Sequence, residues 1–176
     1  MDIVFKDWVS LSTRFCDIPH QSHLCKNFGL GKSGFNEVNK YFEAITGQDN
    51  IIHSIEKRNL KTLTFKFSEQ ILSASFSKNI FRYVGKLCML SCSQVSTEKY
   101  IKEAEDPIFS ELISLYGNYD KKIENPVSTI SWVHDTNEYW WSTTNGISVT
   151  YSSIYSEKHK QTAIIVRWFT NAYNST

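Results

Sequence analysis

The chain has 176 residues, enough for one ordinary domain or for two smaller units around a shared core. Its 19 lysines and arginines nearly cancel its 18 aspartates and glutamates, so there is no overall field for nucleic acid or an anionic membrane. Aromatic residues make up 14% of the chain, which favours a β-rich core with rings left over for a surface, and 3 prolines and 7 glycines leave no low-complexity linker.

Met1 to Asp7 lacks a basic stretch followed by a sustained apolar run, and no later segment reaches the roughly 18 apolar residues of a membrane span. A cytoplasmic protein is expected, the alternative being a periplasmic or secreted chain whose signal peptide has been removed. Cys16, Cys25, Cys88 and Cys92 are too sparse for a disulfide scaffold and are expected as free thiols. Val4, Trp8, Leu11 and Phe15 recur at helical spacing until Pro19 intervenes. A polar loop follows as far as Gly34. Its run Gly29-Leu30-Gly31-Lys32-Ser33-Gly34 has the composition of a phosphate loop without the spacing, and it serves better as a lead-in to a helix.

Ser33 or Gly34 caps that helix, which carries Phe35, Val38, Tyr41, Phe42 and Ile45 on one stripe and stops at Gly47. After a polar stretch, Leu63, Phe65 and Phe67 alternate with Thr62, Thr64 and Lys66 as in a half-buried strand. Leu72, Ala74 and Phe76 repeat the period. A third strand is predicted over Ile80 to Cys92, with Phe81, Tyr83, Leu87 and Met89 on one side and Arg82, Lys86 and Cys88 on the other.

The pattern then returns. After a short helix through Tyr100, Ile101 and Ala104, Asp106 as N-cap and Pro107 at the first helical position start a helix through Ile108, Leu112 and Leu115 to a glycine stop at Gly117. Val38, Phe42, Ile45 and Gly47 map onto Ile108, Leu112, Leu115 and Gly117 at a constant offset. Strands follow at Ile130 to Asp135, Asn137 to Thr144 and Ile147 to Tyr155. In a last one Ile164, Val166 and Trp168 alternate with Ile165, Arg167 and Phe169. The predicted fold is α+β: one domain over 1–176, made of two helix-plus-antiparallel-meander halves of αβββ type (1–93 and a larger 94–176) sharing a sheet with the helices on one face.

Asn145-Gly146 favours the positive φ angles of a two-residue hairpin turn. That turn places Thr144 opposite Ile147, Ser142 opposite Val149 and Trp140 opposite Tyr151. Trp140, Ile147, Val149 and Tyr151 then form a core face, and Tyr139 and Trp141 stand on the other among Thr143, Ser148, Thr150 and Ser152.

Chemistry-bearing clusters are few. Cys16, His20, His23 and Cys25 could bind zinc, but all four fall within one short segment, whereas structural zinc sites join separate segments; a Cys16–Cys25 disulfide or ordinary loop residues are the alternatives. Cys25, His134 and Asp135 are the ingredients of a cysteine hydrolase without its flanking signature, and no Gly-x-Ser-x-Gly elbow occurs. No cofactor motif is present. The acidic run Glu98, Glu103, Glu105, Asp106 and Glu111 reads as a solvated face. Tyr139 and Trp141 beside Asp135 and Glu138 would supply burial and steering charge to a protein interface, or else lie beneath the helices.

Paired helix-plus-meander units whose helices stop at a glycine resemble the architecture of the small inhibitor proteins of the β-lactamase inhibitory protein family. The resemblance implies a concave sheet presented to an enzyme; it extends to architecture only, and no residue role follows from it. The expected function is a protein-binding inhibitor or bacterial immunity protein that neutralises a toxin or enzyme, docking through Tyr139, Trp141, Asp135 and Glu138. The alternative is a small cysteine/histidine hydrolase or ligand-binding domain with its site between the halves.

Overall fold

The computed structural model describes residues 30–46, 51–57, 60–67, 70–78, 84–96, 106–124, 133–143, 146–156 and 158–170. Helix α1 (Phe35–Thr46) leads into strands β1 (Ile51–Lys57), β2 (Leu60–Phe67), β3 (Gln70–Ser77) and β4 (Leu87–Ser96). Helix α2 (Pro107–Tyr116) leads into β5 (Lys121–Glu124), β6 (Val133–Ser142), β7 (Ile147–Ser156) and β8 (Gln161–Thr170). Among the described residues the strands form one antiparallel sheet in the order β1-β2-β3-β4-β8-β7-β6-β5, a sheet-dominated α+β fold. Strands β4 and β8 therefore meet in the middle, and β1 and β5 lie on the outer edges.

Each described helix is followed by four strands: one more than predicted after α1, and the predicted number with different bounds after α2. In β1 the apolar residues Ile51, Ile52 and Ile55 do not alternate cleanly, which hid the strand. The β5 sequence, Lys-Lys-Ile-Glu, has one apolar residue and no period to detect. Conversely, the two strands expected over 130–144 are one: β6 continues through a register shift between His134 and Asn137. The predicted short helix near Tyr100 lies outside the described residues.

Partners across an antiparallel ladder share a face, so the registers divide the sheet into rows. One row runs Leu63, Ala74, Leu90, Trp168, Val149, Trp141 across six strands, and the next holds Leu72, Cys92, Val166, Tyr151 and Tyr139. All are buried, and both described helices lie on this side. Helix α1 brings fully buried Val38 and sets the Phe35 ring 5.3 Å from that of Phe76, with Lys61 Nζ 3.5 Å from the Phe35 ring centre. Helix α2 buries Ile108 and Leu112 and lays Phe109 among Tyr139 (4.7 Å), Tyr151 (5.1 Å) and Trp141 (6.0 Å). Leu115, placed on the apolar stripe by its spacing, is instead 39% exposed.

The caps of α2 follow the sequence. Asp106 Oδ1 accepts from Ile108 N at 2.9 Å, Pro107 takes the first turn, and Gly117 stops the helix at φ 78°. The indole of Trp141 donates to the Gly117 carbonyl (2.9 Å) and that of Trp168 to the Tyr116 hydroxyl (3.1 Å), so the helix end rests on two tryptophans of the sheet.

A bulge corrects the predicted third strand. Leu87 pairs with Phe76 and faces the core, whereas Met89 pairs with Ser75 on the opposite face, because the register shifts between Ser75 and Phe76.

The β6–β7 hairpin corrects the predicted register. Thr143 N donates to Ile147 O at 2.9 Å and Gly146, at φ 73°, donates to Thr143 O at 3.3 Å, so the paired ends are 143 and 147 and three residues lie between them. A three-residue loop with a left-handed glycine moves β6 one step along β7 relative to a two-residue turn, and one step exchanges its faces. Val149 and Tyr151 keep the core position expected of them, but their partners are Trp141 and Tyr139, not Ser142 and Trp140.

Candidate functional site

The face opposite the helices carries the candidate site. Its central row runs Thr64, Ser73, Ser91, Arg167, Thr150, Trp140. On β2 and β3 the hydroxyls satisfy one another: Thr62 Oγ1 lies 3.0 Å from Ser75 Oγ, and Thr64 Oγ1 3.3 Å from Ser73 Oγ. The adjoining row holds Ile71, Ser93, Ile165, Ser152 and Glu138, and beyond it Val95 and Ile154 both pair with Ala163. Ile71 and Val95 are exposed to 39% and 50%. The face is thus hydroxyl-rich toward one end and apolar toward the other.

Between them stands a polar cluster. Glu138 Oε1 accepts from Trp140 Nε1 at 2.7 Å, and its Oε2 accepts from Ser152 Oγ at 3.1 Å. Arg167 Nη1 is 3.7 Å from the same Oε2 and 3.5 Å from Ser152 Oγ, contacts at or beyond the limit of a good hydrogen bond. The carboxylate's short bonds therefore go to the indole and the hydroxyl. The Arg167 side chain remains 34% exposed against 17% for Glu138. Thr150, between Trp140 and Arg167 in its row, is 1% exposed, with a hydroxyl oxygen that has no partner among the described residues. Trp140 is half-buried, its ring 5.5 Å from Phe169 and nearly perpendicular to it.

The sequence-predicted residues fall as follows. Tyr139 and Trp141 are 5% and 2% exposed beneath α2, so they form core and not a docking face. Glu138 does lie on the face opposite α1 and α2. His134 and Asp135 belong to β6 beside its register shift, their side chains outside the described set. Cys16, His20, His23 and Cys25 lie outside the described residues, which themselves contain no group of three metal-ligating side chains. Cys88 and Cys92 are buried and not in a disulfide. Burial pushes the Cys88 thiol up to about 11, partly countered by a backbone hydrogen bond, while its Sγ donates to Ser75 O at 3.2 Å, so it is a packing residue and not a nucleophile.

The glycine run serves the fold in its described part. Gly31 N donates to Leu87 O (2.7 Å), Leu87 N to Ser33 O (2.8 Å), and Val38 N to Gly34 O (3.1 Å), which turns the amide of Gly31 toward β4.

At the β5 edge, Lys122 Nζ lies 2.8 Å from Glu124 Oε1. That hydrogen bond raises the pKa of the ammonium and lowers that of the carboxylate, and the exposed charged edge discourages strand addition there.

Sequence reasoning missed Arg167 and Trp140 as surface residues. The signal for Arg167 was present, since it is the only charged residue in the last strand's alternation. For Trp140 there was none: Tyr-Trp-Trp has no parity. No family model, no curated protein and no solved structure matches the chain. Among the described residues no helix is long and apolar enough to cross a membrane.

Proposed function

We propose that this chain is a protein-binding inhibitor or immunity protein that neutralises an enzyme or toxin by docking the face of its sheet opposite α1 and α2 on it, and that its halves are two copies of one helix-plus-meander unit. The observation that supports this is the composition of that face. Thr62, Thr64, Ser73, Ser91 and Ser93 occupy positions where a merely solvated sheet would carry lysine and glutamate, and exposed Ile71 and Val95 adjoin them. Short hydroxyl side chains lose little rotamer freedom on association, whereas each long flexible one loses about 0.5–1.5 kcal/mol.

The test is affinity capture from native extract with the full-length tagged protein, its Ser91→Trp variant and a helix-side Leu115→Ser variant. One protein, retained in equal amount by wild type and Leu115→Ser and lost by Ser91→Trp with an unchanged melting temperature, is the expected result. Full binding by Ser91→Trp would remove this face.

A further inference from the structure

Resting on that docking reading, we infer that Arg167 is the anchor for an aspartate or glutamate side chain of the partner, taken by a two-point hydrogen bond at the centre of the face opposite α1 and α2. Arg167 sits on β8, whose neighbours are β4 and β7, so its side chain rises from the middle of the sheet. A guanidinium has five donors in a planar fork, and only Nη1 has contacts here, at 3.5 Å to Ser152 Oγ and 3.7 Å to Glu138 Oε2. Nε and Nη2 have no partner among the described residues, which leaves an edge of the fork that fits a carboxylate.

Glu138 does not complete that fork, because the indole of Trp140 and the hydroxyl of Ser152 hold its oxygens at 2.7 and 3.1 Å. It instead restrains the guanidinium electrostatically. The neighbouring Thr150 hydroxyl, buried with no partner among the described residues, adds hydrogen-bonding capacity in this row to that of Arg167.

The occupant is a protein carboxylate and not a phosphate backbone for two reasons. A cation standing beside a carboxylate, as Arg167 does beside Glu138, suits one monoanionic group, whereas polyphosphate binding neutralises several charges at once. The flanking surface is Ile71, Ile165 and Val95, which fits apolar side chains around an acidic residue.

The test is an NMR titration of the full-length ¹⁵N-labelled protein with three probes: a hexaglutamate peptide, a hexalysine peptide and a short oligothymidylate. The acidic peptide is expected to shift the Arg167 Nε–H resonance and the amides of Ser91 and Thr150 saturably. Arg167→Lys should bind it at least tenfold more weakly, and Arg167→Gln should abolish the shifts while the remaining spectrum is unchanged. Glu138→Gln, which removes the competing charge, should tighten binding severalfold. Equal shifts in Arg167→Gln, no shift at these residues, or oligothymidylate binding there in place of the peptide would each overturn the assignment. Should the peptide fail while Ser91→Trp still abolishes partner capture, Arg167 is excluded and the docking face stands; full capture by Ser91→Trp excludes the face itself.

Discussion

Tyr151, in the middle of β7, donates its hydroxyl to Asp106 Oδ2 at the N-cap of α2, and both side chains are buried, at 0% and 1% exposure. The carboxylate's other oxygen takes the Ile108 amide. One buried carboxyl group thus closes the helix start and fixes the helix over the sheet, with hydrogen bonds that count for more where water is excluded.

Removing the phenol hydroxyl should show how much this matters. Tyr151→Phe retains the ring contacts with Phe109 and Tyr139 but leaves Asp106 short of a donor, a loss of about 1–3 kcal/mol. Urea unfolding followed by circular dichroism measures it. A change below about 0.5 kcal/mol would show that the carboxylate finds another donor.

The adjacent tryptophans should behave oppositely. Trp141, 2% exposed and bonded to the Gly117 carbonyl, should lose about 3–5 kcal/mol as Trp141→Ala, enough to unfold a marginal domain. Trp140, half-buried on the other face, should lose distinctly less. Thermal melts of the two variants decide which face of β6 is core.

Gly146 holds φ 73° in the β6–β7 connection, with no atom within 4 Å of where a Cβ would stand. Gly146→Ala therefore meets no clash and reports only the left-handed backbone, about 1–2 kcal/mol. A larger loss in denaturant unfolding would mean that the hairpin register itself depends on this residue.

Cys88 gives a pH test. Its thiol is pushed from the ordinary 9.0 to about 11 by burial, so the folded state holds a proton that the unfolded chain releases first. The contribution to stability is complete below pH 9 and is lost as pH rises from about 9 to 11, with the sign reversed from a salt-bridged carboxylate. Cys88→Ala should flatten that alkaline fall in melting temperature. In the native protein at pH 8, Cys88 should resist a thiol reagent, and it should react once the chain is denatured.

The elements with local chemical signatures were legible in the sequence. Helix α2 is framed by Asp106, Pro107 and Gly117, and the alternation in 62–67 and 164–169 marks β2 and β8. What escaped lacked a local signal. Four residues with one isoleucine cannot display a strand period, and Asn145-Gly146 fits a two-residue turn as well as it fits a longer loop whose left-handed position is the glycine. The face of β6, and with it the placing of Tyr139 and Trp141, depended on that single residue of loop length. The cluster of Glu138, Trp140, Ser152 and Arg167 spans three strands, so only the registers could assemble it.

The central ladder has a consequence for biosynthesis. Strand β4 pairs with β8 from Met89↔Phe169 to Ser96↔Thr162, so the inner edge of the first meander waits for the last strand of the second. At a translation speed of about 5–20 residues per second, the interval between making Ser96 and making Thr170 is on the order of 4–15 s. Throughout it, an eight-residue edge bearing Leu90 and Cys92 lacks its mate. Two chains growing side by side on one messenger could then exchange second halves, each supplying β8 to the other's β4, and the product would be a swapped dimer with every native pairing intact.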